Sequence, residues 1–522
     1  MNAVERVPVL IVGGAVSGLT MAAFLAQHGI ECRLVERRAH HSAHPRMNDI
    51  GPRAMELLRG LGIQDRVRRC DEDRDSMILR VDSLAGREHD RLPMGGPEEF
   101  GGITPERQVW CDQDQLEPIL RDRAAELGAD LRFGVELTGF EQSDRLVRAD
   151  LRDTATGQPG TVLADYLIAC DGSGSPVRER LGIGFAGPGL LALQAGILFR
   201  ADLTAALRGR SFVLCMVDEL QDAAPGMRLN VLLRRNLGRW TLSIPHDPEL
   251  DVELSVTRCT ELIRRAVGVP DLDVEMLGVD IWQMRALLAD SFRRGPVFLV
   301  GDAAKTLPPT GGYGGNSGIE DAHNLAWKIA AVLGGTAGPG LLDSYEQERK
   351  PVAQLLIEDS VVRAGLLLAG AAEGGSHQPA DRPSKAAICL GYRYRAGALI
   401  AEEPETGGPT EDPRTPTGRP GTRAAHVLVD GGSTIDLFGK GFVLLTGEDG
   451  WERAGADAGV VVHRIGASAA ARWAAAYGVT EAGAVLVRPD GFIAWRSRSA
   501  DNQDTLTAVL RALLQPVSSS VR

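Results

Sequence analysis

A stretch of proline and glycine residues after Asp302 has the composition of a backbone cradle for a flat, charged ligand. Residues 297–300 form an apolar run long enough for one buried strand, and Asp302 follows at its carboxyl end, where open α/β sheets bind ligands. Pro308-Pro309 stiffens the next segment. Four glycines then leave the backbone bare: Gly311, Gly312, Gly314 and Gly315. A helical pattern from Gly318 predicts a helix N-terminus behind this loop, so the stretch predicts a bound cofactor.

A second pattern, near the beginning of the chain, is typical of a dinucleotide site. Residues 7–12 predict a buried parallel strand, GGAVSG at 13–18 predicts the turn that leaves it, and residues 32–35 predict the next strand. Gly13 permits the tight turn, and Gly18 permits close packing of the following helix on the strand. The pyrophosphate of a dinucleotide is expected at the N-terminus of that helix.

Two residues refine the choice of ligand at this site. Ala15 stands where a second glycine is usual, and its methyl group narrows the approach of a pyrophosphate. Glu36 ends the second strand and can accept hydrogen bonds from ribose hydroxyls, which favours FAD or NAD over NADP. The chain continues with Arg46, a candidate phosphate contact, and a helix at 53–61, whereas a nicotinamide dehydrogenase continues with further β-α units.

A third pattern follows a strand predicted at 166–169. Asp171-Gly172 stands at the end of this strand, and Arg178 lies six residues after Gly172 at the start of a helix. An Asp-Gly pair at a strand end is usually a turn, but the arginine favours a functional interpretation.

Composition excludes several other classes of protein. The 522 residues are 44% hydrophobic and 24% charged, as in ordinary globular proteins, and the net charge of -12 argues against nucleic-acid or anionic-membrane binding. No signal peptide or membrane-spanning stretch is recognised, so a cytoplasmic protein is expected. The seven cysteines form no C-x-x-C pair, and we expect reduced thiols with neither metal site nor disulfide framework.

The pattern of elements predicts an α/β protein of several domains. Residues 135–164 predict an antiparallel meander, and 191–290 predict an antiparallel sheet that covers one side of the cofactor and holds substrate. Residues 371–384 and 402–422 predict linkers. The remaining tail predicts a small α/β domain compatible with a thioredoxin-like arrangement, without thiol redox chemistry.

The three motifs, in this order over residues 5–365, resemble those of FAD-dependent aromatic hydroxylases of the p-hydroxybenzoate hydroxylase-like class. Segments at 390–399, 416–429 and 486–496 are similar to those of aromatic polyketide hydroxylases of the tetracenomycin and aklavinone type. The resemblance implies an FAD-binding Rossmann-like fold at 1–180, with an excursion near 71–106. It also implies a substrate-binding β-sheet domain at 181–285, a second FAD-binding part at 286–395 and a thioredoxin-like domain at 396–522.

The resemblance also implies which residues bind FAD. In order along the chain, they are Gly13, Gly14, Ala15, Ser17, Gly18, Glu36, Arg37, Arg46, Gln113, Asp171, Gly172, Asp302, Pro309, Gly312, Gly314, Gly315 and Asn316. Gly13, Gly14, Gly18 and Glu36 hold the ADP half, Asp302 meets the ribityl chain, and the segment from Pro309 to Asn316 lines the isoalloxazine ring. Asp171 and Gly172 match a motif implicated in both FAD and NAD(P)H binding.

The activity implied is hydroxylation of a polycyclic aromatic polyketide in antibiotic biosynthesis, through a flavin C4a-hydroperoxide, with NADPH or NADH and O2 as co-substrates. Because a fixed guanidinium lowers the pKa of a neighbouring phenol, Arg393 and Arg395, with Arg46, are the candidate catalytic residues. Baeyer–Villiger oxygenation, an antibiotic-inactivating hydroxylase and a non-catalytic FAD-binding protein stay open as alternatives. The expected partner is a small aromatic molecule, not nucleic acid or membrane, with a homodimer as one option for assembly.

Overall fold

The structure is a computed structural model, and it describes residues 5–41, 46–72, 74–94, 97–144, 146–218, 220, 230–250, 254–368, 382–404, 407–429 and 431–514. The expected linker at 371–384 lies largely outside the described residues. Among the described helices, none is long and apolar enough to cross a lipid bilayer.

The strands are numbered in chain order. They are β1 (Glu5–Val12), β2 (Cys32–Glu36), β3 (Asp49–Ile50), β4 (Met77–Val81), β5 (Glu88–Pro93), β6 (Val109–Trp110), β7 (Asp130–Phe133), β8 (Val135–Gln142), β9 (Val147–Asp153), β10 (Pro159–Ala169), β11 (Phe185–Arg200), β12 (Leu214–Val217), β13 (Val231–Arg234), β14 (Arg239–Pro245), β15 (Glu275–Ala289), β16 (Arg293–Arg294), β17 (Val297–Leu299), β18 (Lys305–Thr306), β19 (Leu428–Val429), β20 (Gly432–Ser433), β21 (Val443–Thr446), β22 (Val461–Arg464), β23 (Ala484–Val487) and β24 (Ile493–Ser497).

The α-helices are numbered in the same way. They are α1 (Val16–Gln27), α2 (Pro52–Gly60), α3 (Gln64–Arg68), α4 (Gln113–Glu126), α5 (Pro176–Arg180), α6 (Thr204–Leu207), α7 (Val256–Val267), α8 (Tyr313–Leu333), α9 (Ser344–Leu368), α10 (Lys385–Leu390), α11 (Trp451–Ala458), α12 (Ala467–Tyr477) and α13 (Leu506–Leu514).

The first sheet is the parallel sheet expected of a dinucleotide-binding fold. Its strands lie in the order β16-β17-β10-β1-β2-β7, and β17, β10, β1, β2 and β7 run parallel. The predicted meander is confirmed, because β8, β9 and β10 pair antiparallel in sequence. The strands predicted at 161–164 and 166–169 form one continuous strand, β10. The central strands are apolar and fully buried, as is typical of a parallel sheet covered on both faces.

The second sheet is built around one long antiparallel pair. Its order is β18-β15-β11-β14-β13-β12-β4-β5, and β11 pairs with β15 over most of its length. The sheet is not purely antiparallel, since β4 from the early part of the chain pairs parallel with β12. Helix α7 covers one face with its apolar stripe, which includes Cys259, Leu262 and Ile263.

The tail contains a separate four-stranded sheet in the order β22-β21-β23-β24. Strands β21 and β22 are parallel, whereas β23 is antiparallel to both β21 and β24. Helix α12 packs Trp473 and Tyr477 into the core on one face, and α11 and α13 pack Trp451 and Leu510 into the core on the other.

Candidate active site

The three sequence motifs meet at one edge of the first sheet. Strands β17, β10 and β1 are adjacent and parallel, so the segments after Val12, Ala169 and Leu299 emerge side by side. Backbone hydrogen bonds continue the register past the strand ends: Cys170 N–H donates to Val12 O at 2.8 Å, and Val300 N–H donates to Ala169 O at 2.9 Å. This edge, with the loops that follow it, is called the cleft below.

Gly13 and Gly18 pack the first turn tightly against its neighbours. Gly13 has φ +107°, and an added Cβ would lie 2.2 Å from the carbonyl oxygen of Cys170. An added Cβ at Gly18 would lie 1.9 Å from Gly13 O. Helix α1 begins at Val16, within the turn predicted at 13–18, and its N-cap, Ala15, forms no side-chain capping bond. The first N–H groups of α1 are therefore available to an anion at the cleft.

Glu36 lies at the end of β2 and orders this turn. Its Oε2 accepts a hydrogen bond from Gly14 N–H at 2.7 Å, and its Oε1 accepts one from Arg38 N–H at 2.9 Å. A carboxylate has about four acceptor positions, so Glu36 can still accept bonds from ribose hydroxyls. Arg37, the next residue, is exposed.

Gln113 begins α4, and its surroundings include an unexpected titratable group. Its backbone N–H donates to Met47 O at 2.8 Å, and its Nε2 donates to Glu117 Oε1 at 2.6 Å. Burial raises the pKa of Glu117 to about 7, and the nearby Glu36 adds to this shift. Nδ1 of His41 lies 3.2 Å from the same carboxyl group.

The Asp171 carboxyl group holds its own loop in place by hydrogen bonds. It accepts hydrogen bonds from the Ser175 hydroxyl at 2.6 Å and from Val177 N–H at 3.1 Å, which holds the start of α5. Burial raises the pKa of Asp171. Arg178 is buried, donates to Ser173 O at 3.1 Å and lies 3.9 Å above the Phe185 ring. Arg178 therefore supports the loop, while Gly172, with φ +83°, has no atom of the described residues within 4 Å of an added Cβ.

The Gly301-Asp302 segment joins the first and third motifs. Gly301 has φ +64°, and added Cβ atoms at Gly301 and Gly318 would lie 2.5 and 2.3 Å from the Ser17 hydroxyl. Ser17 thus fits between α8 and the end of β17 only because both neighbours are glycine. Asp302 is exposed to the cleft, yet the surrounding protein desolvates it and raises its pKa, against the charges of Lys305 and Arg46.

The helix behind the glycine loop begins earlier than predicted. Helix α8 starts at Tyr313, not at Gly318, so Gly314 and Gly315 belong to its first turn. Its N-cap is Gly312, which has φ +72° and provides no side-chain cap. Gly315 is needed here, because an added Cβ would lie 2.2 Å from Met47 Sδ. At Gly314 an added Cβ would meet no atom of the described residues within 4 Å.

Asn316 and Pro309 complete the loop. The Asn316 side chain accepts from Gly51 N–H at 2.9 Å and donates to Asp49 O at 3.0 Å and Gly312 O at 2.7 Å. Pro309 is exposed, and its carbonyl accepts from Gly312 N–H at 3.1 Å. Asn316 therefore ties the start of α8 to the segment that follows Arg46.

The three candidate arginines lie in different environments. Arg46 is exposed and its Nη2 lies 3.1 Å from Oδ2 of Asp280 on β15, so it connects the loop before β3 to the second sheet, beside Asp302. Arg393 is buried and donates to Gly408 O at 3.2 Å, and Arg395 is exposed. The roles of these arginines in catalysis stay predictions.

A second polar region, which the sequence analysis did not identify, lies beneath the cleft on the other side of α8. We call it the buried network, and its ionic members are Lys305, Glu320, Asp321, Lys328, Glu348, Arg349, Arg488 and Asp490. Arg349 Nε donates to Asp321 Oδ1 at 2.7 Å, and Asp321 Oδ2 accepts from Gly301 N–H at 3.2 Å and from Lys305.

The tail of the chain contributes directly to the buried network. Arg488 donates to both carboxylate oxygens of Glu348, at 2.7 and 2.8 Å, and pairs with Asp490. Asp490 in turn accepts from Trp327 Nε1 on α8 at 3.1 Å. Although burial raises the pKa of Glu348, the charges of Arg488 and Lys328 outweigh it and lower the pKa. The sequence contains charged triplets here, ERK at 348–350 and RPD at 488–490, but no known motif spacing predicts that they pair.

The cleft residues fit FAD on structural grounds. Two helices, α1 and α8, point N-termini without side-chain caps at the cleft, whereas Ser255 caps α7. The first suits a pyrophosphate, and the second suits an anionic ring. Glu36 and Asp302 supply acceptors for hydroxyl groups. In the described part of the chain, no group of three or more His, Cys, Asp or Glu side chains is arranged to hold a metal ion.

Comparison with known proteins agrees with this geometry. The FAD binding domain family matches residues 6–360, and the family described as aromatic-ring hydroxylase, C-terminal, matches residues 417–516. A putative polyketide hydroxylase of Streptomyces halstedii is 40% identical, over 99% of this chain and 98% of that protein. A 4-methyl-5-nitrocatechol 5-monooxygenase of Burkholderia sp is 42% identical, over 98% of each.

A solved structure gives the same result. The aklavinone-11 hydroxylase in a ternary complex with FAD and aklavinone is 36% identical, covers 98% of this chain and 100% of its own, and superposes with a TM-score of 0.87. The mixed α/β fold therefore matches that of FAD-dependent hydroxylases. The chain belongs to the FAD-dependent aromatic-ring hydroxylases, a family of flavin monooxygenases, and FAD is its cofactor.

Proposed function

We propose that this enzyme uses NADPH or NADH and O2 to hydroxylate a phenolic, polycyclic aromatic polyketide in antibiotic biosynthesis. The observation that carries the proposal is the convergence of Gly13, Asp171 and Asp302 at adjacent carboxyl ends of β1, β10 and β17. The substrate class is supported by relatives named polyketide hydroxylase, and by the solved complex of an aklavinone hydroxylase with aklavinone.

In this proposal the first motif binds the adenosine and pyrophosphate half of FAD. The N–H groups at the start of α1 face the pyrophosphate, and Glu36 accepts hydrogen bonds from the ribose. Gly14 and Ala15 form the wall of the turn, and Gln113, held by Met47 O and Glu117, reaches the nucleotide from α4. Arg37 borders the same site.

The third motif binds the flavin half. When bound, FAD supplies the electron-transfer and oxygen-activating chemistry. Asp302 accepts hydrogen bonds from the ribityl chain, and the loop from Pro309 to Asn316 lies along the ring. The N-terminus of α8 stabilises negative charge on the ring, because its first N–H groups carry no side-chain cap. Gly314 allows a flat ligand to approach without a clash.

The nicotinamide co-substrate is proposed to bind transiently near Asp171 and Gly172. Gly172 borders open space, while the loop beneath it is fixed by Asp171, Ser175 and Arg178. The second sheet is proposed to hold the aromatic substrate against the cleft. Support comes from the Arg46–Asp280 ion pair, which brings β15 to the cleft.

The domain organisation is part of the proposal. Residues 1–180 and 286–395 form the FAD-binding part, 181–285 the main part of the substrate sheet, and 396–522 a thioredoxin-like domain. The order β22-β21-β23-β24, with helices after β21, β22 and β24, supports the thioredoxin-like assignment. The tail contains no cysteine at all, so this domain carries no thiol chemistry.

The proposal is tested by the visible spectrum and by NAD(P)H consumption. We expect the purified holoenzyme to show oxidised-flavin bands, and NADPH or NADH oxidation to accelerate when a hydroxylated polycyclic aromatic is added. Product mass should increase by one oxygen atom, and NMR connectivity should show a new phenol. A ring-expanded lactone would instead indicate Baeyer–Villiger chemistry. Bound flavin that NADPH or NADH fails to reduce, whichever aromatic is added, would indicate a non-catalytic binding protein.

A monocyclic phenol is a second candidate substrate. The observation in its favour is the 42% identity to a nitrocatechol monooxygenase, over nearly the full length of both chains. A panel that contains aklavinone-like polycyclic phenols and substituted catechols separates the two classes by kcat/KM. Preference for the catechols would overturn the polyketide assignment while leaving the monooxygenase reaction intact.

A further inference from the structure

Two cysteines lie side by side near the cleft, although they are 41 positions apart in the sequence. The Cys70 and Cys111 side chains are neighbours, and each thiol donates to a backbone carbonyl at 3.7 Å, Cys70 to Arg66 O and Cys111 to Asp112 O. Their backbones are held together by neighbouring residues: Asn236 Nδ2 donates to Cys70 O at 2.7 Å and to Trp110 O at 3.0 Å, and Asp71 Oδ1 accepts from Trp110 N–H at 2.9 Å. Both thiols are reduced in this structure.

The two thiols differ in exposure. Cys70, just beyond the end of α3, is partly exposed, whereas Cys111 is fully buried beside β6. A small oxidant in solution can therefore reach Cys70 but not Cys111. This is the arrangement of an attacked thiol with a buried resolving partner.

The electrostatic surroundings favour the same order of events. The neighbouring Cys111 side chain lowers the pKa of Cys70, and the charge of Arg69 adds to the shift, against burial. The neighbouring Cys70 side chain, together with burial, raises the pKa of Cys111. The other partly exposed cysteine, Cys389, differs, because burial raises its pKa to about 12.

We propose that Cys70 and Cys111 form a peroxide-responsive thiol pair that closes reversibly to a disulfide. The Cys70 thiolate attacks hydrogen peroxide, the O–O bond breaks, and Cys70 becomes a sulfenic acid with release of hydroxide. The Cys111 thiol then attacks the Cys70 sulfur, an S–S bond forms, and the sulfenic oxygen leaves as water. Each peroxide thus removes two electrons from the pair, and a dithiol reductant restores it.

The position of the pair connects it to the cleft. Cys111 N–H donates to Asn48 O at 3.0 Å, two residues after Arg46, and β6 pairs with β3 in the same segment. Asp112, the N-cap of α4, is bonded to Arg239 of the second sheet at 3.0 Å. A crosslink at this point therefore ties α3 to the segment that joins the cleft to the second sheet.

The test is peptide mapping of the holoenzyme after treatment with hydrogen peroxide. Trypsin releases Cys70 in peptide 70–74 and Cys111 in peptide 108–121. Under non-reducing conditions we expect these two peptides to appear linked, with loss of two hydrogen atoms, and to separate again after dithiothreitol. We expect Cys70 to be lost at least about tenfold faster than Cys389, whose thiolate is disfavoured.

Three variants make the assignment specific. In Cys111→Ser, peroxide should leave a Cys70 sulfenic acid that dimedone traps, and in Cys70→Ser, Cys111 should stay reduced at the same dose. Cys389→Ser, the matched control, should form the crosslink as the unchanged protein does. Cys70 that resists peroxide, or a Cys70 sulfenic acid in the unchanged protein that never links to Cys111, would overturn the proposal. The test does not depend on the proposed substrate, because the oxidant is added.

Discussion

The cleft and the buried network lie on opposite sides of the first turns of α8 and use the same residue types to different ends. At the cleft, Asp302 has no cation bonded to it among the residues that the structure describes, and the surrounding protein raises its pKa. In the network, Asp321 is fully buried, yet Lys305 and Arg349 lower its pKa against burial. A charge left uncompensated inside a protein is unfavourable, so it is retained where a ligand makes use of it.

The comparison distinguishes residues that position the backbone of the cleft from residues that face a ligand in the cleft. Gly301 shares in both regions: its N–H is held by Asp321, while the next residue, Asp302, faces the cleft. The buried network therefore fixes the backbone on which the cleft is built. Because Arg488 and Asp490 belong to the tail, the tail is part of that support.

The largest effect is expected from Arg488→Met in the buried network. Arg488 is fully buried, and its removal leaves Glu348 paired with Lys328 and takes away the cation that is bonded to Asp490. We expect the free energy of unfolding to fall by about 3–5 kcal/mol. Urea denaturation of the FAD-free protein measures this.

The matched control for Arg488 lies on the same part of the chain. Arg453 is 93% exposed and pairs loosely with Asp457 at 3.9 Å, so Arg453→Met should change stability by less than about 0.5 kcal/mol. Equal effects of the two substitutions would show that the buried network does not support the fold. A loss of less than about 1 kcal/mol for Arg488→Met would have the same meaning.

The next effect concerns Glu117, a buried carboxyl group near Glu36 to which no arginine or lysine of the described ranges is bonded. Its pKa is raised from 4.5 to about 7, mainly by burial. The folded protein therefore binds more protons than the unfolded chain between these values, and stability falls by about 3 kcal/mol as pH rises through this window. Glu117→Gln should remove that loss, so that the variant is more stable than the unchanged protein at pH 8 but not at pH 4.5.

Glu348→Gln provides the opposite sign. Its pKa is lowered, so its ionised form stabilises the folded protein above the pKa of the unfolded chain, and that contribution is lost as pH falls. The substitution should destabilise the protein at pH 8. If both Glu117→Gln and Glu348→Gln destabilise it at pH 8, the contrast between compensated and uncompensated carboxylates is wrong.

The sequence predicted the cleft better than the buried network for a physical reason. Gly13, Gly18 and Asp302 lie within short motifs whose local order, strand, turn and helix, already determines their positions. Arg488 and Glu348 are 140 positions apart and meet only after α9 and the tail have packed. No local sequence pattern encodes such a pair, so only the three-dimensional structure shows it.

The boundaries of α8 illustrate a finer limit. Four glycines in five positions predicted a loop up to Gly318, since glycine disfavours helices by about 1 kcal/mol each. The helix nevertheless begins at Tyr313, because packing against Met47 at Gly315 and the Asn316 hydrogen bonds outweigh this preference. Helix propensity alone could not predict these tertiary contacts.

A smaller and different effect is expected from Asp302→Asn at the cleft. The amide keeps the size of the side chain but loses a charged acceptor for the ribityl hydroxyls, so FAD affinity should fall by about 2 kcal/mol, roughly 30-fold. Stability of the FAD-free protein should not fall, because a desolvated carboxylate is removed. Asp321→Asn should have the opposite effect on stability, so that the FAD-free protein becomes less stable. Fluorescence titration with FAD and urea denaturation of each variant measure both quantities.

The smallest effect is expected from Arg46→Met, since Arg46 lies at the edge of the cleft and is 60% exposed. If Arg46 contacts the FAD phosphates, FAD affinity should fall by about fivefold, or about 1 kcal/mol, and the difference should shrink at high salt. Asp280→Asn breaks the same ion pair without removing the guanidinium, so it should leave FAD affinity unchanged. Equal losses for the two variants would mean that the ion pair positions the loop and that Arg46 makes no direct contact, which would move this residue from binding to positioning.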